Sequence, residues 1–451
     1  MSYGFTAPEA PLTPKSVSRH RGDRHDFVRG VQHLIRDAVA TGGGALAEVG
    51  SNLLGWASDP RMLRLAWDTL AARGQAPGSD GCRYSDFDEP GVWDLLRDLS
   101  RSVRDGSYER GPVRRIRIPK DRSNPAAGTR KLTLLNIADR VLQRAIVETV
   151  QPLLESLFSA RSLGFRPGKN RYTALAAAER ITVGEGRDIW VTEDIRNAFD
   201  NIPIGRLVDV LTARIRSDTL VELIKRSCAA GKRGVLQGGP LSPLLLNLYL
   251  HHFLDSEWQR ACPDTPLLRY ADDLLILCKS REEAEGRWQD LRSILLPAGM
   301  QLKASFAADV THEIAGSDVA DWLGFQISRM GERLNIGIGA KAWSGLQQGL
   351  CRAQEKSNSP VRAIQTIESW IRQIGACHEW VDHDGVLEKV RTVAAAEGFN
   401  ELPSGECLLE HWHQAQRNWQ SVRSKVVDVR PDTPIPVSTF TEDEELGEAP
   451  F

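Results

Sequence analysis

Three aspartates are the residues of this sequence best suited to bind metal ions. Asp194 ends an apolar, β-branched run that begins at Ile189, and the adjacent pair Asp272 and Asp273 joins two further apolar runs. Carboxylates a few ångströms apart oppose folding unless a cation meets them. Mg²⁺ prefers carboxylates plus substrate phosphates, and two such ions about 3.5–4 Å apart can activate a hydroxyl and stabilise a leaving phosphate oxygen. The three residues therefore predict a two-metal site for nucleotidyl transfer.

An adjacent pair of aspartates also has an ordinary explanation, because Asp favours turns. On its own, the tetrapeptide Tyr270–Asp273 therefore favours a simple turn over catalysis. The motifs that accompany it along the chain must decide between the two.

Strand predictions place the acids at the ends of elements. The run Ile189–Ile195 predicts a buried strand that ends in acid, and Leu267–Leu277 predicts a tight hairpin with the acid pair at its tip. Farther along, Trp322–Ile327 predicts a short strand whose partner begins at Leu334.

Helical periodicity dominates the two ends of the chain. Leu53–Ala72 is amphipathic, and Ile137–Phe158 predicts a long amphipathic helical stretch that is broken at Pro152. From Lys341 onward the pattern is again mostly helical. Residues 428–451 are Pro-rich and then acidic, and they are predicted to be disordered.

Composition predicts a protein of the cytoplasm. The chain has 451 residues and a net charge of −2, and five acids between Glu442 and Glu448 leave the remainder at about +3. No run approaches the roughly 20 apolar residues of a membrane span. The first residues lack a signal pattern, and none of the seven cysteines has C-x-x-C spacing, which indicates reduced thiols.

A basic hairpin is predicted between Val113 and Leu135. Its strands carry many arginines, and Lys120 and Arg130 lie near its connecting loop. The charges suit an edge strand that resists aggregation, or a flap that clamps a triphosphate with Lys120 and Arg130 as donors. Charge alone favours the edge strand.

A glycine-rich loop precedes an apolar helix. Gln237, Gly238 and Gly239 are followed by Ser242-Pro243, which suits a helix start. The loop is either an ordinary helix N-terminus or one that holds a phosphate or base.

The motifs together resemble a known family. Tyr270-Ala271-Asp272-Asp273 between apolar runs resembles the signature of reverse transcriptases, and the wider series resembles their group II intron lineage. The other motifs, in order, are Pro77–Gly81, Ile118–Lys120 with Arg130–Leu132, Asp139–Gln143, Ser162–Gly168, Asp194–Asp200, Gln237–Pro243 and Trp322–Phe325. The resemblance covers about residues 50–395, and the ordered series is far more specific than any one motif.

The resemblance implies an α+β right-hand polymerase with fingers, a palm with an antiparallel sheet, and a helical thumb. The domains that it implies are an N-terminal extension (1–50), fingers with part of the palm (51–185), palm (186–335), helical thumb and C-terminal helices (336–427), and a disordered acidic tail (428–451).

The resemblance also implies roles for the acids and for an aromatic residue. Asp194 and Asp272 would hold both catalytic Mg²⁺ ions, with Asp273 nearby and Mn²⁺ as an alternative ion. Phe199, five residues after Asp194, matches the aromatic that blocks a ribose 2′-OH and so selects dNTPs.

Further residues match the family's nucleotide-binding positions. Lys120 and Arg130 match its triphosphate-binding pair, which reverses the preference drawn from charge alone. Gln237 and Gly238 match the loop that contacts the incoming nucleotide and the template. One position departs from the pattern: the lysine expected after Gly299 falls at Phe306, and Lys303 lies three residues earlier.

The predicted function is RNA-directed DNA polymerisation. The expected partners are an RNA template, a DNA or RNA primer and dNTPs, with no membrane; self-association is left open. The modest net charge and the absence of an endonuclease motif after the thumb favour a free-standing defence-associated enzyme that copies a structured non-coding RNA against phage. The alternatives are a group II intron maturase without an endonuclease and a non-catalytic RNA-binding protein, which retention of the three aspartates and Phe199 disfavours.

Overall fold

The computed structural model describes residues 21–72, 74, 76–119, 128–304, 310–355, 358–377, 381–400 and 402–426. The chain forms two compact units. One, here called the helical unit, comprises Met1–Ile116, Leu132–Leu157 and Pro203–Leu245. The other, called the sheet unit, comprises Arg117–Lys131, Phe158–Ile202 and Leu246–Phe451.

Helices account for most of the regular structure. They are α1 (Arg21–Thr41), α2 (Gly43–Ala57), α3 (Pro60–Ala71), α4 (Glu89–Arg104), α5 (Ile137–Glu155), α6 (Arg171–Glu185), α7 (Ala198–Asn201), α8 (Ile204–Ile215), α9 (Asp218–Cys228), α10 (Ser242–Leu250), α11 (Ser256–Ala261), α12 (Arg281–Leu295), α13 (Ala340–Gln354), α14 (Ser359–Gln373), α15 (His383–Ala396) and α16 (Gly405–Lys425). A π-helical segment, His251–Asp255, joins α10 to α11.

The strands form three sheets among the described residues. They are β1 (Arg114–Pro119), β2 (Thr129–Leu134), β3 (Ile189–Asp194), β4 (Leu267–Tyr270), β5 (Asp273–Cys278), β6 (Thr311–Glu313), β7 (Ala320–Trp322), β8 (Phe325–Met330) and β9 (Arg333–Ile338). Their orders are β1-β2, β4-β5-β3-β6 and β7-β8-β9, and the strand pairs of the two larger sheets are antiparallel.

In the helical unit, α5 packs against α1, α2 and α3. The predicted break at Pro152 is wrong, because α5 runs unbroken through that residue. Proline lacks the N–H that would bond to the carbonyl of Glu148, four residues earlier. The Gln32 side chain donates to that carbonyl at 3.3 Å, so a contact from α1 replaces the lost hydrogen bond.

The amphipathic stretch Leu53–Ala72 belongs to two helices. Helix α2 ends at Ala57, and α3 begins at Pro60 with Asp59 as its N-cap. The Asp59 carboxylate accepts from the backbone N–H of Arg61 at 2.9 Å. Because both helices have apolar faces, the amphipathic pattern of the sequence continues from one to the other. The boundary between them is defined by the N-cap Asp59 and by Pro60.

In the sheet unit, the four-stranded sheet packs against α12 on β3 and β5, and against α6 on β4 and β5. Trp190 of β3 is fully buried, and its indole N–H donates to Thr182 of α6 at 3.0 Å. The buried apolar residues of both larger sheets, α6 and the C-terminal helices form one continuous core. This core holds the strand that ends at Asp194.

The predicted strand Trp322–Ile327 is interrupted by a turn. Leu323 and Gly324 both have positive φ, 52° and 85°, so the chain reverses there between β7 and β8. Two consecutive positive φ values are those of a tight hairpin turn. The prediction of β9 as the partner of β8 is confirmed.

The helices predicted after Lys341 are confirmed as α13 to α16. Arg423 of α16 ties this region to α6, because its guanidinium donates to both carboxylate oxygens of Glu179 at 2.6 and 2.9 Å.

The mixture of helices with antiparallel sheets confirms the predicted α+β class. Within the described part of the chain, no helix is long and apolar enough to cross a bilayer. The boundaries assigned to fingers, palm and thumb stay predictions, and the predicted disordered tail 428–451 lies outside the described residues.

Candidate active site

The end of β3 brings the predicted acids together. Strands β3 and β5 pair so that Asp194 lies directly opposite Asp273, a position in which the two Cβ atoms are typically about 5 Å apart. Asp272 precedes Asp273 in the turn, and its carbonyl accepts from the backbone N–H of Ile195 at 3.0 Å. The carboxylate of Asp194 and those of the distant pair Asp272 and Asp273 therefore converge at one end of the sheet.

The turn that carries the acid pair is strained. Tyr270 pairs with Asp273 across β4 and β5, so only Ala271 and Asp272 connect the strands. Ala271 adopts φ +61°, in the left-handed region, which costs a non-glycine residue about 1–2 kcal/mol. Such strain persists only where the surroundings enforce it, and it is frequent at functional sites.

The electrostatics of the cluster favour added positive charge. Burial raises the pKa of Asp273 well above its ordinary value of 3.8, and the charges of Asp194 and Asp272 raise it further. All three side chains offer oxygen ligands, which Mg²⁺ and Mn²⁺ prefer. The donor set and its unfavourable self-repulsion both fit a divalent cation.

Lys303, whose role the sequence left open, contacts the cluster of three aspartates. Its Nζ donates to Oδ2 of Asp194 at 2.8 Å, and this hydrogen bond raises the pKa of Lys303. The chain from residue 301 to 303 runs antiparallel to 194–196, with the N–H of Arg196 donating to Gln301 and that of Lys303 donating to Asp194. This pairing sets the register of Lys303. The alternative position, Phe306, lies outside the described residues.

Glu193 is a buried carboxylate beside the cluster that sequence reasoning missed. It is 7% exposed, and it accepts the indole N–H of Trp288 at 2.7 Å and the backbone N–H of Asp194 at 3.3 Å. Burial raises the pKa of Glu193, while the hydrogen bonds from Trp288 and from the backbone of Asp194 and Ala304 lower it. Glu193 therefore links β3 to α12 and to the segment that carries Lys303. Its signal in the sequence was an acid inside an apolar run.

Phe199 lies in the one-turn helix α7 that follows β3, and its side chain is partly buried. Asn197, with φ +48°, starts this helix, and the Asn201 side chain donates to the carbonyl of Arg196 at 2.8 Å. These local contacts fix the turn between Asp194 and Phe199.

Gln237 and Gly238 lie in the helical unit, in a loop against β2. The carbonyl of Gln237 accepts from the N–H of Thr133 at 2.7 Å. Gly238 has φ +107°, and a Cβ there would lie 2.7 Å from the Thr133 carbonyl oxygen and 2.7 Å from Leu132. The loop therefore requires glycine at this position, and its backbone pairs with a strand.

The role of Lys120 and Arg130 as the triphosphate-binding pair stays a prediction. Lys120 lies outside the described residues, and of Arg130 the structure describes the backbone alone, in β2.

The comparison with protein families matches residues 118–327 to the model "Reverse transcriptase (RNA-dependent DNA polymerase)". The match includes all three aspartates, Phe199 and Gln237. The helices and antiparallel sheets of the structure, taken with this match, agree with the predicted right-hand polymerase fold.

Several curated proteins are similar to parts of the chain. An uncharacterized 91 kDa protein in the cob intron of Schizosaccharomyces pombe is 30% identical over 35% of this chain and 20% of its own length. Protein YkfC of Escherichia coli is 28% identical over 55% of this chain and 80% of its own. The group II intron-encoded protein LtrA of Lactococcus lactis is 34% identical over 35% of this chain and 27% of its own.

The chain therefore matches about a fifth to a quarter of the length of the two intron-related proteins. Residues 118–327 are a reverse transcriptase domain with homologues among group II intron-encoded proteins.

Proposed function

We propose that this chain is an RNA-directed DNA polymerase that extends a DNA or RNA primer with dNTPs on an RNA template. The observation that carries the proposal is the pairing of Asp194 with Asp273 across β3 and β5, with Asp272 in the adjoining turn. This geometry lies inside the region that the reverse transcriptase model matches.

Asp194, Asp272 and Asp273 would hold two Mg²⁺ ions, with Mn²⁺ as an alternative. When bound, such ions supply the charge that activates a primer hydroxyl and stabilises a leaving phosphate oxygen. Lys303 offsets part of the repulsion among the carboxylates before ions bind. Its side chain is 60% exposed, and its ammonium group is our candidate for the proton donor to the leaving pyrophosphate.

The remaining predicted residues would select and hold the nucleotide. We assign Lys120 and Arg130 to the triphosphate, and Gln237 with Gly238 to the incoming nucleotide and template. Phe199 would exclude a ribose 2′-OH by steric contact. Catalysis then consists of positioning and charge neutralisation in the transition state.

Primer extension on an RNA template tests the activity. Asp272→Ala should abolish Mg²⁺-dependent dNTP incorporation, with a loss of about a thousandfold or more, because the transition-state charge is no longer neutralised. Asp264→Asn, which removes an exposed carboxylate of the same unit, should leave incorporation unchanged. Full activity in a folded Asp272→Ala protein would refute the assignment.

Sugar selection tests the role of Phe199. Phe199→Ala should let the enzyme incorporate rNTPs, because the side chain that meets the 2′-OH is gone. Incorporation of rNTPs and dNTPs is measured in separate single-nucleotide reactions. Unchanged discrimination would exclude the steric role.

For the biological template, we propose a structured non-coding RNA that the enzyme copies in antiphage defence. The net charge of −2 supports this over a grip on a large ribozyme, because affinity for many phosphates needs many cations. The similarity to a group II intron-encoded protein supports a second candidate, an intron maturase without an endonuclease.

Sequencing the RNA that co-purifies with the protein separates these candidates. A short structured RNA enriched over a mock purification supports the defence role if its cDNA accumulates during phage infection with the wild type and not with Asp272→Ala. Enrichment of a spliced intron supports the maturase and excludes the first candidate.

A further inference from the structure

A fully buried arginine lies directly behind the acid pair. Arg269 of β4 is 1% exposed, and each of its five N–H groups has an acceptor. Nε and Nη2 donate to the two carboxylate oxygens of Asp255 at 2.8 and 2.6 Å. Nη1 donates to Asn247 at 2.9 Å and to the carbonyl of Ala271 at 3.1 Å, and Nη2 also donates to Ser162 at 2.7 Å. These residues are called the Arg269 network.

The Arg269 network also reaches the turn through Gly164. The Asn247 side chain donates to the carbonyl of Gly164 at 2.7 Å. Gly164 lies so close to the turn that a Cβ on it would be 2.3 Å from the backbone nitrogen of Ala271. The segment that carries Ser162 and Gly164 also runs beside β4, with the N–H of Leu163 donating to the Arg269 carbonyl at 2.7 Å.

Stability alone does not explain such a network. Burying an arginine and a carboxylate carries a desolvation penalty, and well-packed apolar residues often do as well or better. The arginine instead fixes geometry, because a planar guanidinium with five satisfied donors holds its acceptors in fixed directions. One of these acceptors is the carbonyl of Ala271, the residue with the left-handed backbone.

We propose that Arg269 is a positioning residue for the metal site. By holding the Ala271 carbonyl against Asn247, Asp255 and Ser162, it enforces the strained turn. The turn then sets the directions in which Asp272 and Asp273 meet Asp194. The motif Ser162–Gly168 thereby acquires a part in the site without contacting substrate.

This inference rests on the proposed function for its activity readout, and its binding readout does not need catalysis. The variant Arg269→Lys keeps a positive charge beside Asp255 but has three donors where arginine has five. We expect it to fold, to need about tenfold more Mg²⁺ for half-maximal primer extension, and to lose about 10- to 100-fold in kcat, as other changes behind metal ligands do. The KM for dNTPs should stay within about twofold, because the contacts to the nucleotide are elsewhere.

The matched control is Arg187→Lys. Arg187 is 6% exposed, precedes β3, and donates to the carbonyl of Leu277 and to Glu283 at the opposite end of the same sheet. It should lower the melting temperature without changing the Mg²⁺ requirement. An equal shift of that requirement in both variants would show a merely structural role and overturn the proposal.

Two further measurements keep the test decisive. If Arg269→Lys does not fold, Ser162→Ala, which deletes one acceptor, must shift the Mg²⁺ requirement in the same direction; no shift overturns the proposal. Tb³⁺ luminescence measures ion binding without turnover. No difference in Tb³⁺ binding between the folded wild type and Asp272→Ala refutes the proposed metal site. If the wild type binds Tb³⁺ and Arg269→Lys binds it equally well, the positioning role of Arg269 is refuted, while the proposed metal site is not.

Discussion

The two ends of the four-stranded sheet differ in how their acidic side chains are neutralised. At the end where β3 begins, acids pair with arginines: Asp188 accepts two hydrogen bonds from Arg329 at 2.5 and 2.7 Å, and Arg187 pairs with Glu185 and Glu283 at 2.7 and 3.2 Å. At the end where β3 finishes, three carboxylates converge, with Lys303 in contact with Asp194. The same strands thus carry acids paired with arginines at one end and, at the other end, a carboxyl group, that of Asp273, whose pKa is raised.

This difference distinguishes a structural charge from a functional one. Removing the acid from a pair with an arginine leaves the arginine without its partner and destabilises the fold, whereas removing one of several repelling carboxylates relieves repulsion. A sheet keeps such a cluster when a cation that is absent from the polypeptide completes it. The contrast therefore identifies the end of the sheet at which an ion is expected, and the following substitutions test it.

The largest contrast is expected between Asp273→Asn and Asp188→Asn. The first should abolish incorporation, by about a thousandfold or more, yet stabilise the metal-free protein, because it removes a charge whose pKa is raised by burial and like charge. The second should leave activity intact and destabilise the fold by about 1–3 kcal/mol, because it weakens the pair with Arg329. Primer extension and urea unfolding in EDTA measure the two effects. Loss of stability in Asp273→Asn would contradict the account.

An intermediate effect is expected when a methyl group is added beside the acid turn. Gly164→Ala should displace the backbone at Ala271 and lower kcat by about 100-fold, as a misplacement of about 1 Å can do. Its control is Gly184→Ala in α6, where the added methyl meets open space and should stabilise the helix by up to about 1 kcal/mol. Single-turnover kinetics and thermal melting give both values. Equal activity in the two variants would mean that the turn tolerates displacement.

The smallest effect is expected from removing a lysine. Lys303→Met deletes the ammonium on Asp194, so the metal-free cluster becomes more negative and should bind Mn²⁺ about two- to fivefold more tightly, in keeping with the modest energy of an exposed ion pair. Lys279→Met, at the other end of β5, should not change the affinity. Titration calorimetry in the absence of nucleotide provides the comparison. Weaker Mn²⁺ binding in Lys303→Met would contradict this role.

The sequence predicted those features that depend on local pattern. The buried strand ending at Asp194 and the hairpin around Asp272 were recognised from apolar runs, and the antiparallel register then brought the acids together. The helix through Pro152 was not recognised, because the side chain that replaces its missing hydrogen bond comes from Gln32, far away in sequence.

The site residues that escaped prediction depend on contacts across the fold. Lys303 faces Asp194 because residues 301–303 pair with 194–196, and counting positions from Gly299 cannot reveal such a pairing. Arg269 looked like one polar position in a short strand. Its five acceptor atoms belong to four residues, of which Ser162, Asn247 and Asp255 lie outside the hairpin, so its burial had no local signature. A charged residue inside an apolar run, as at Glu193 and Arg269, was the one available signal.

Anomalous diffraction from crystals soaked with Mn²⁺ tests the central claim most directly. The account predicts anomalous peaks within coordination distance of Asp194 and Asp272, beside Asp273, and their loss in Asp272→Ala. Manganese bound elsewhere, with no peak at the end of β3, would show that these carboxylates do not form a metal site.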